Sequence, residues 1–230
     1  MDNLVACAEA IRVGDVETLA RLLKEDPTLV TARLSGDGGE RTLLHIATDY
    51  PGHFPNVRAS VEMLIAHGAD VEAAFLGRHS ERPLHWAASS DDLEALDALL
   101  DRHADIEAPG AVIGGGTALA DAVAFGCWRA ARRLVERGAV TTLWQAAALG
   151  LMERVTAYFS RDPEPDAAAV TQAFWCSCHG GELPAAEYLG WLGWPYGSRC
   201  RQPQGARELV EWLGKQGARS ATSGGETLEA

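Results

Sequence analysis

The sequence repeats one six-residue pattern, Thr42-Leu43-Leu44-His45-Ile46-Ala47, as Arg82-Pro83-Leu84-His85-Trp86-Ala87. A third and weaker copy runs Thr117-Ala118-Leu119-Ala120-Asp121-Ala122. Each copy is followed by an amphipathic stretch that ends in a turn, at residues 61–70, 96–105 and 133–139. Self-similarity at this spacing indicates stacked repeats, in which each unit buries its apolar face against the next.

These segments resemble ankyrin repeats, whose pattern is TPLHxA, a turn, a second helix with paired leucines, and a β-hairpin. The resemblance implies an all-α ankyrin-repeat solenoid of stacked helix pairs with short β-hairpin loops, about six to seven repeats including caps. We expect the array to cover residues 1–219, with an N-terminal capping repeat at 1–33 and an irregular C-terminal cap at 191–219. Residues 220–230 are small, polar and acidic, which predicts a disordered tail.

The turn between the two helices of each pair supplies a marker for the repeats. Its expected positions are Gly14, Asn56, Asp91, Gly126, Gly150, Gly181 and Gly205. An insertion at residues 51–55 lengthens one pair, and a first hairpin is expected at residues 36–40. The copies at 142–160 and 171–193 are degenerate, and no hairpin fits between Ala139 and Thr142.

The helix signals agree with this division. Asp15 and Asp92 stand where an N-cap would begin a second helix, and Gly68, Gly138 and Gly217 stand where helices would end. In a stack of this kind we expect five apolar side chains to be buried, namely Leu84, Leu99, Leu100, Leu134 and Val135.

Composition excludes several classes of protein. The chain has 230 residues, 47% hydrophobic and 23% charged, and no apolar run long enough to span a bilayer. The N-terminus carries no secretory signal pattern, and five cysteines at irregular spacing favour reduced thiols. We therefore expect a cytoplasmic protein.

The acidic residues are unevenly distributed. The net charge of −12 disfavours a nucleic acid or an anionic membrane as the partner. Residues 1–110 hold 20 acidic and 9 basic side chains, so almost the whole excess lies there. This excess serves either solubility alone or the recognition of something cationic.

No residue pattern predicts catalysis, a metal site or a cofactor. The resemblance implies that His45 and His85 are structural and bond backbone at the repeat junction, with Trp144 and Trp175 at the corresponding place in later repeats. In Cys176-Ser177-Cys178-His179, the two cysteines would lie about 200° apart on a helix and would not share an ion, although Cys176 and His179 could. The run Gly114-Gly115-Gly116 lacks the lysine of a phosphate-binding loop and is interpreted as a hairpin tip.

In ankyrin repeats, targets bind a concave surface formed by the ends of the first helices and the hairpin tips. Mapped onto this sequence, the resemblance implies a partner-binding set of Arg12, Asp49, Tyr50, His53, Phe54, Ser89, Ser90, Phe125, Leu149 and His179. Tyr50, Phe125 and Leu149 are the apolar members, and His53 with Phe54 is expected to form a raised lip. The alternative for Phe125 and Leu149 is that they pack on adjacent helices.

The resemblance therefore predicts a monomeric scaffold or adaptor that binds a protein partner. Two other functions stay open. One is an acidic inhibitor or immunity protein for a basic enzyme, which would use the acidic N-terminal half. The other is an enzyme with a pocket in the groove, built from Asp49, Tyr50, His53 and His179.

Overall fold

A computed structural model describes residues 3–36 and 38–179 of the chain. These residues are mostly helical, as the resemblance implied, and they divide into two compact units with the boundary between Ala139 and Val140. The helices of the first unit are α1 (Asn3–Val13), α2 (Val16–Glu25), α3 (Leu43–Thr48), α4 (Val57–Ala66), α5 (Pro83–Ser89), α6 (Leu93–Asp101), α7 (Ala118–Ala124) and α8 (Trp128–Glu136). Those of the second are α9 (Leu143–Ala148), α10 (Met152–Tyr158) and α11 (Ala167–His179). The first unit also contains a short 3-10 helix at Pro27–Val30.

A small antiparallel sheet joins the first two hairpins of the first unit. Its strands are β1 (Leu34–Gly36), β2 (Gly39–Arg41) and β3 (Leu76–Gly77), in the order β1-β2-β3. Gly36 pairs with Gly39 at the tip of the predicted first hairpin, and Glu40 of β2 pairs with Leu76 of β3. The hairpins of neighbouring repeats are therefore hydrogen-bonded to each other.

The helices of the first unit form two rows. Helices α1, α3, α5 and α7 each contact the next in that order, and α2, α4, α6 and α8 do the same. Leu84, Leu99 and Leu134 are buried between them, as predicted. The prediction was wrong for Leu100 and Val135, which are half-buried. Each directly follows a buried residue, and successive side chains on a helix point about 100° apart.

The predicted turn positions adopt left-handed backbone conformations. The angle φ is 71° at Gly14, 54° at Asn56, 53° at Asp91, 72° at Gly126 and 68° at Gly150. At Gly14 a side chain is also excluded by space, because a Cβ there would lie 2.4 Å from the carbonyl oxygen of Pro55. The markers at Gly181 and Gly205 lie outside the described residues.

The predicted helix boundaries are confirmed wherever the structure describes them. The Asp15 carboxylate accepts a hydrogen bond from the Thr18 backbone N–H at 2.9 Å, and Asp92 accepts one from Ala95 at 3.1 Å. Gly68 and Gly138 follow α4 and α8 with φ of 99° and 103°. Gly217 lies outside the described residues.

The second unit is built on a smaller apolar cluster. Leu143, Ala146 and Ala147 of α9 pack with Val155 of α10 and Ala173 of α11. No strand lies between Ala139 and the start of α9, so the absence of a hairpin predicted for this stretch is confirmed. Helix α11 begins earlier than the repeat expected at 171–193. The rest of that repeat, the cap at 191–219 and the tail at 220–230 fall outside the part of the chain that the structure describes.

An ion-pair network crosses the row formed by α2, α4, α6 and α8, which we call the outer row. Arg137, the C-cap residue of α8, binds Asp97 and Asp101 of α6 at 3.0 and 2.9 Å, and Asp101 also binds Arg58 of α4 at 3.1 Å. Arg133 binds Asp97 as well. Asp97 therefore joins α6 to α8, and Asp101 joins α6 to both α4 and α8.

Replacing Asp97 with Asn is expected to lower the free energy of unfolding by about 1 kcal/mol at low salt, because Asp97 joins two guanidinium groups in one network. The loss should shrink at about 1 M salt, where exposed charges are screened. Urea unfolding at both salt concentrations measures this, with Glu94→Gln, at an exposed position on the same helix, as the control. Equal losses for the two variants would contradict the network's contribution.

Among the described residues, no helix has the length and apolar character needed to cross a membrane.

Candidate functional site

The two repeated histidines are built into the repeat junctions. His45 and His85 are buried, and each occupies the third position of its helix, where the ring folds back on the start of the helix. The backbone N–H of Thr42 donates to Nδ1 of His45 at 3.3 Å, and Nε2 lies 3.2 Å from the carbonyl oxygen of Glu81 in the next repeat. The His45 ring therefore accepts at Nδ1 and donates at Nε2, which is the neutral form.

His85 has the same arrangement one repeat further along the chain. Arg82 N–H donates to Nδ1 at 3.2 Å, and Nε2 lies 3.4 Å from the Gly116 carbonyl oxygen. Burial lowers the pKa of both His45 and His85 to about 4, against an ordinary value of 6.5. The structural role implied by the resemblance is confirmed.

The expectation that Trp144 takes the histidine position in a later repeat was wrong. Gln145 occupies it, and its Oε1 accepts a hydrogen bond from the Thr142 N–H at 2.7 Å. An amide reproduces the acceptor of a neutral imidazole, whereas an indole has only a donor.

The predicted binding residues of the first unit lie along the ends of the first helices. We call the predicted residues Arg12, Asp49, Tyr50, Ser89, Ser90 and Phe125, together with the neighbouring Val13, the helix-end row. Hydrogen bonds connect the ends of neighbouring first helices from repeat to repeat: Ser90 Oγ donates to the Thr48 carbonyl at 3.3 Å, and Cys127 Sγ donates to that of Ser89 at 3.1 Å. The repeat register thus places these side chains along one edge of α1, α3, α5 and α7.

Asp49 is the acidic centre of the helix-end row. Its carboxylate binds the Arg41 guanidinium at 2.8 Å, with both side chains partly buried. Burial raises the pKa of Asp49, and the positive charges of Arg41 and Arg12 oppose that rise. Asp49 is therefore part of an ion pair and not a free carboxylate.

Tyr50 is the most prominent member of the helix-end row, since 72% of its surface is exposed. Val13 is also exposed, whereas Phe125 is half-buried at the end of α7. The Tyr50 side chain therefore reaches solvent, as the predicted apolar contact requires.

The inserted loop at residues 51–55 is fastened to the next repeat. The His53 backbone N–H donates to the Asp92 carboxylate at 2.6 Å, while the same carboxylate caps α6. The His53 side chain is exposed and Phe54 is half-buried. Because Asp92 holds its backbone, the loop has a fixed position next to Tyr50.

Two predicted binding residues lie in the second unit. Leu149 is only 1% exposed, so the expectation of a surface contact there was wrong. It packs against the interior, which is the alternative that the sequence left open. His179 ends α11 and is half-buried.

Sequence reasoning missed three apolar side chains on the hairpins. Leu76 lies at the second hairpin, and Val112 and Ile113 lie at the third, all with exposed surface. The third hairpin closes on hydrogen bonds from Gly110 to Gly115 and from Ala111 to Gly116, so the glycine run is a hairpin tip as interpreted. The sequence signal that could have revealed such side chains is an apolar residue inside a Gly-rich turn.

Within residues 3–36 and 38–179, no group of three or more His, Cys, Asp and Glu side chains is arranged to hold a metal ion. Cys7 is a buried free thiol.

The comparisons with known proteins bear on residues 4–110. A family model described as ankyrin repeats, with 3 copies, matches that range. No curated protein matches the chain. The matched range covers both clear hexapeptides, the histidines that bond across repeat junctions, and the first two hairpins. Residues 4–110 are therefore an ankyrin repeat region, in which three repeats are recognised.

Proposed function

We propose that the chain is a non-catalytic scaffold or adaptor that binds a protein partner through the helix-end row and the adjoining hairpins. Ankyrin repeats are generally modules for protein–protein interaction. The single observation that carries the proposal for this chain is Tyr50, a largely exposed aromatic side chain on a surface that the repeat register keeps continuous. An amphipathic ring in such a place is typical of the few residues that dominate binding energy.

The apolar hairpin residues extend the proposed surface. Leu76, Val112 and Ile113 project from hairpins that contact each other, because β2 pairs with β3 and Arg82 donates to the Pro109 carbonyl. Exposed apolar groups of this kind favour a protein over a nucleic acid, and the net charge of −12 acts in the same direction.

Tyr50→Ala is expected to reduce recovery of the partner about tenfold or more, as for a residue central to an interface. The measurement is quantitative mass spectrometry of proteins captured from a native extract by the tagged full chain. Glu94→Ala, on the outer row, is the control and should retain the partner. A Tyr50→Ala variant combined with Phe125→Ala that keeps every partner of the parent would contradict the proposed surface.

A second candidate function is inhibition of a basic enzyme, favoured by the 20 acidic against 9 basic residues of the first 110. This partner would bind through long-range attraction, so its affinity would fall steeply with salt. Capture at low and high salt distinguishes the two candidates, since an apolar contact through Tyr50 loses little affinity over that range.

Catalysis receives less support from the geometry. The Asp49 carboxylate is bound by Arg41, and the backbone of His53 is held by Asp92. Of the candidate groups in the first unit, the Asp49 side chain is thus already engaged in an ion pair, and the His53 backbone is fixed by a structural contact.

A further inference from the structure

The buried carboxylate of Asp92 serves two elements at once. One oxygen, Oδ1, accepts from the Ala95 N–H at 3.1 Å and caps α6. The other, Oδ2, accepts from the His53 N–H at 2.6 Å. A helix cap needs a single side-chain oxygen. The second oxygen is therefore free of the helix, and it holds the inserted loop of the preceding repeat.

The inserted loop is bonded to the repeats on both sides of it. Nδ2 of Asn56, the residue that follows the loop, donates to the Gly14 carbonyl at 2.9 Å in the first repeat. Within its own repeat, the Gly52 N–H donates to the Asp49 carbonyl at 2.7 Å. With the bond from His53 to Asp92, these contacts connect the loop to three successive repeats.

The loop also lies directly against the third repeat. Gly52 is buried, with φ of 72°. A Cβ at this position would lie 2.9 Å from Cβ of Ser90 and 3.4 Å from Oδ2 of Asp92. The space between the loop and the third repeat therefore admits no side chain, and the two surfaces determine each other's position.

The backbone of the loop region depends on these contacts. His53 and Asn56 adopt left-handed conformations, with φ of 57° and 54°, although neither is glycine. Residues in such conformations persist only where their surroundings fix them, and they concentrate at functional sites. At His53 the fixing contact is the bond to Asp92, and Nδ1 of the His53 ring also lies 4.0 Å from Oδ1 of the same carboxylate.

The loop region presents rings to solvent. Tyr50 and His53 are exposed, Phe54 is half-buried, and residues 50–57 contain no Asp, Glu, Lys or Arg. Asp92 itself is only 1% exposed, so it does not reach a partner. Any effect of Asp92 on binding must therefore act through the loop.

We propose that Asp92 is a positioning residue of the binding surface, because its second carboxylate oxygen holds the inserted loop in the conformation that presents Tyr50 and His53 to the partner. A loop that is ordered before binding loses less conformational entropy on association, which strengthens binding without any new contact. This inference rests on the proposed function and adds to it a residue that the partner does not touch.

The first test is amide hydrogen exchange of the full chain without a partner. Asp92→Ser keeps one hydroxyl oxygen to cap α6 but has no second oxygen for the loop. We expect exchange at His53 to accelerate about tenfold or more, as for the loss of a hydrogen bond to a charged group, while exchange at Ala95 stays close to the parent rate. An unchanged rate at His53, or an equal acceleration at Ala95 from fraying of α6, would overturn the proposal.

Asp26→Ser is the matched control for this test. Asp26 is also an N-cap aspartate, and its carboxylate accepts from the Thr28 N–H at 3.0 Å at the start of the 3-10 helix. The same substitution there should leave exchange at His53 unchanged. An acceleration at His53 as large as in Asp92→Ser would overturn the proposal, because it would assign the effect to the loss of a cap.

The second test titrates each variant with the protein that the parent captures in the largest amount. We expect Asp92→Ser to weaken the Kd about threefold or more, the scale of ordering a few groups on association, and Asp26→Ser to keep the parent value. A loss in Tyr50→Ala together with the parent Kd in Asp92→Ser would overturn the positioning role alone. The parent Kd in Tyr50→Ala would contradict the proposed function and this inference with it.

Discussion

Replacing Leu99 with Ala is expected to lower the free energy of unfolding by about 2 to 5 kcal/mol. Leu99 is fully buried in α6, which packs between α4 and α8 in the outer row. Its truncation removes apolar contacts and leaves a cavity that the two neighbouring helices close only in part. Urea unfolding of the full chain measures the loss.

The matched control is Leu100→Ala, one residue further along the same helix. Leu100 is half-buried, so its truncation removes less contact and creates no enclosed cavity. The stacked arrangement predicts a clearly larger loss at Leu99. Comparable losses at the two positions would mean that α6 does not face its neighbours as described.

Acid is expected to destabilise the chain through His45 and His85. The unfolded chain binds a proton at each imidazole near pH 6.5, whereas the folded chain binds it only near pH 4. The stability contributed by the neutral rings is therefore present above pH 6.5 and lost as the pH falls to 4. Each histidine accounts for about 3 kcal/mol over that window, because protonation of Nδ1 ends its hydrogen bond from the backbone.

His85→Gln measures this contribution, since Gln145 already performs the same task in α9. Urea unfolding between pH 7 and 4 should show a weaker fall in stability for this variant than for the parent. His67→Gln, at an exposed histidine, should leave the slope unchanged. Glu81 acts in the opposite direction, because burial raises its pKa from the ordinary 4.5 to about 8, and its contribution to stability grows as the pH falls. The relevant quantity is therefore the difference in stability between variant and parent at each pH. Parallel curves for His85→Gln and the parent would contradict the buried neutral ring.

The local features of the fold could be predicted from sequence because each depends on a few adjacent residues. Asn56 and Asp91 were placed in the glycine-like turn by repeat register alone, and both adopt positive φ. Asp15 and Asp92 were identified as helix caps by the same reasoning. Such signals survive in single copies of a repeat, since a turn or a cap requires the same backbone geometry each time.

Contacts between repeats could not be predicted in this way. The His53 backbone N–H and the Asp92 carboxylate lie in different repeats, and their hydrogen bond depends on how far one repeat is displaced against the next. Leu149 was assigned wrongly to the binding surface for a related reason, because the position that faces solvent in clear repeats faces the interior in a degenerate one. The sequence thus predicted the helices and turns within each repeat, but not the contacts between repeats.

The most direct test of the proposed binding surface is hydrogen exchange of the chain with and without its captured partner. We expect the partner to slow exchange at residues 49–54, 75–81 and 110–116, with little change in the outer helices α4, α6 and α8. Protection confined to those outer helices would contradict the account.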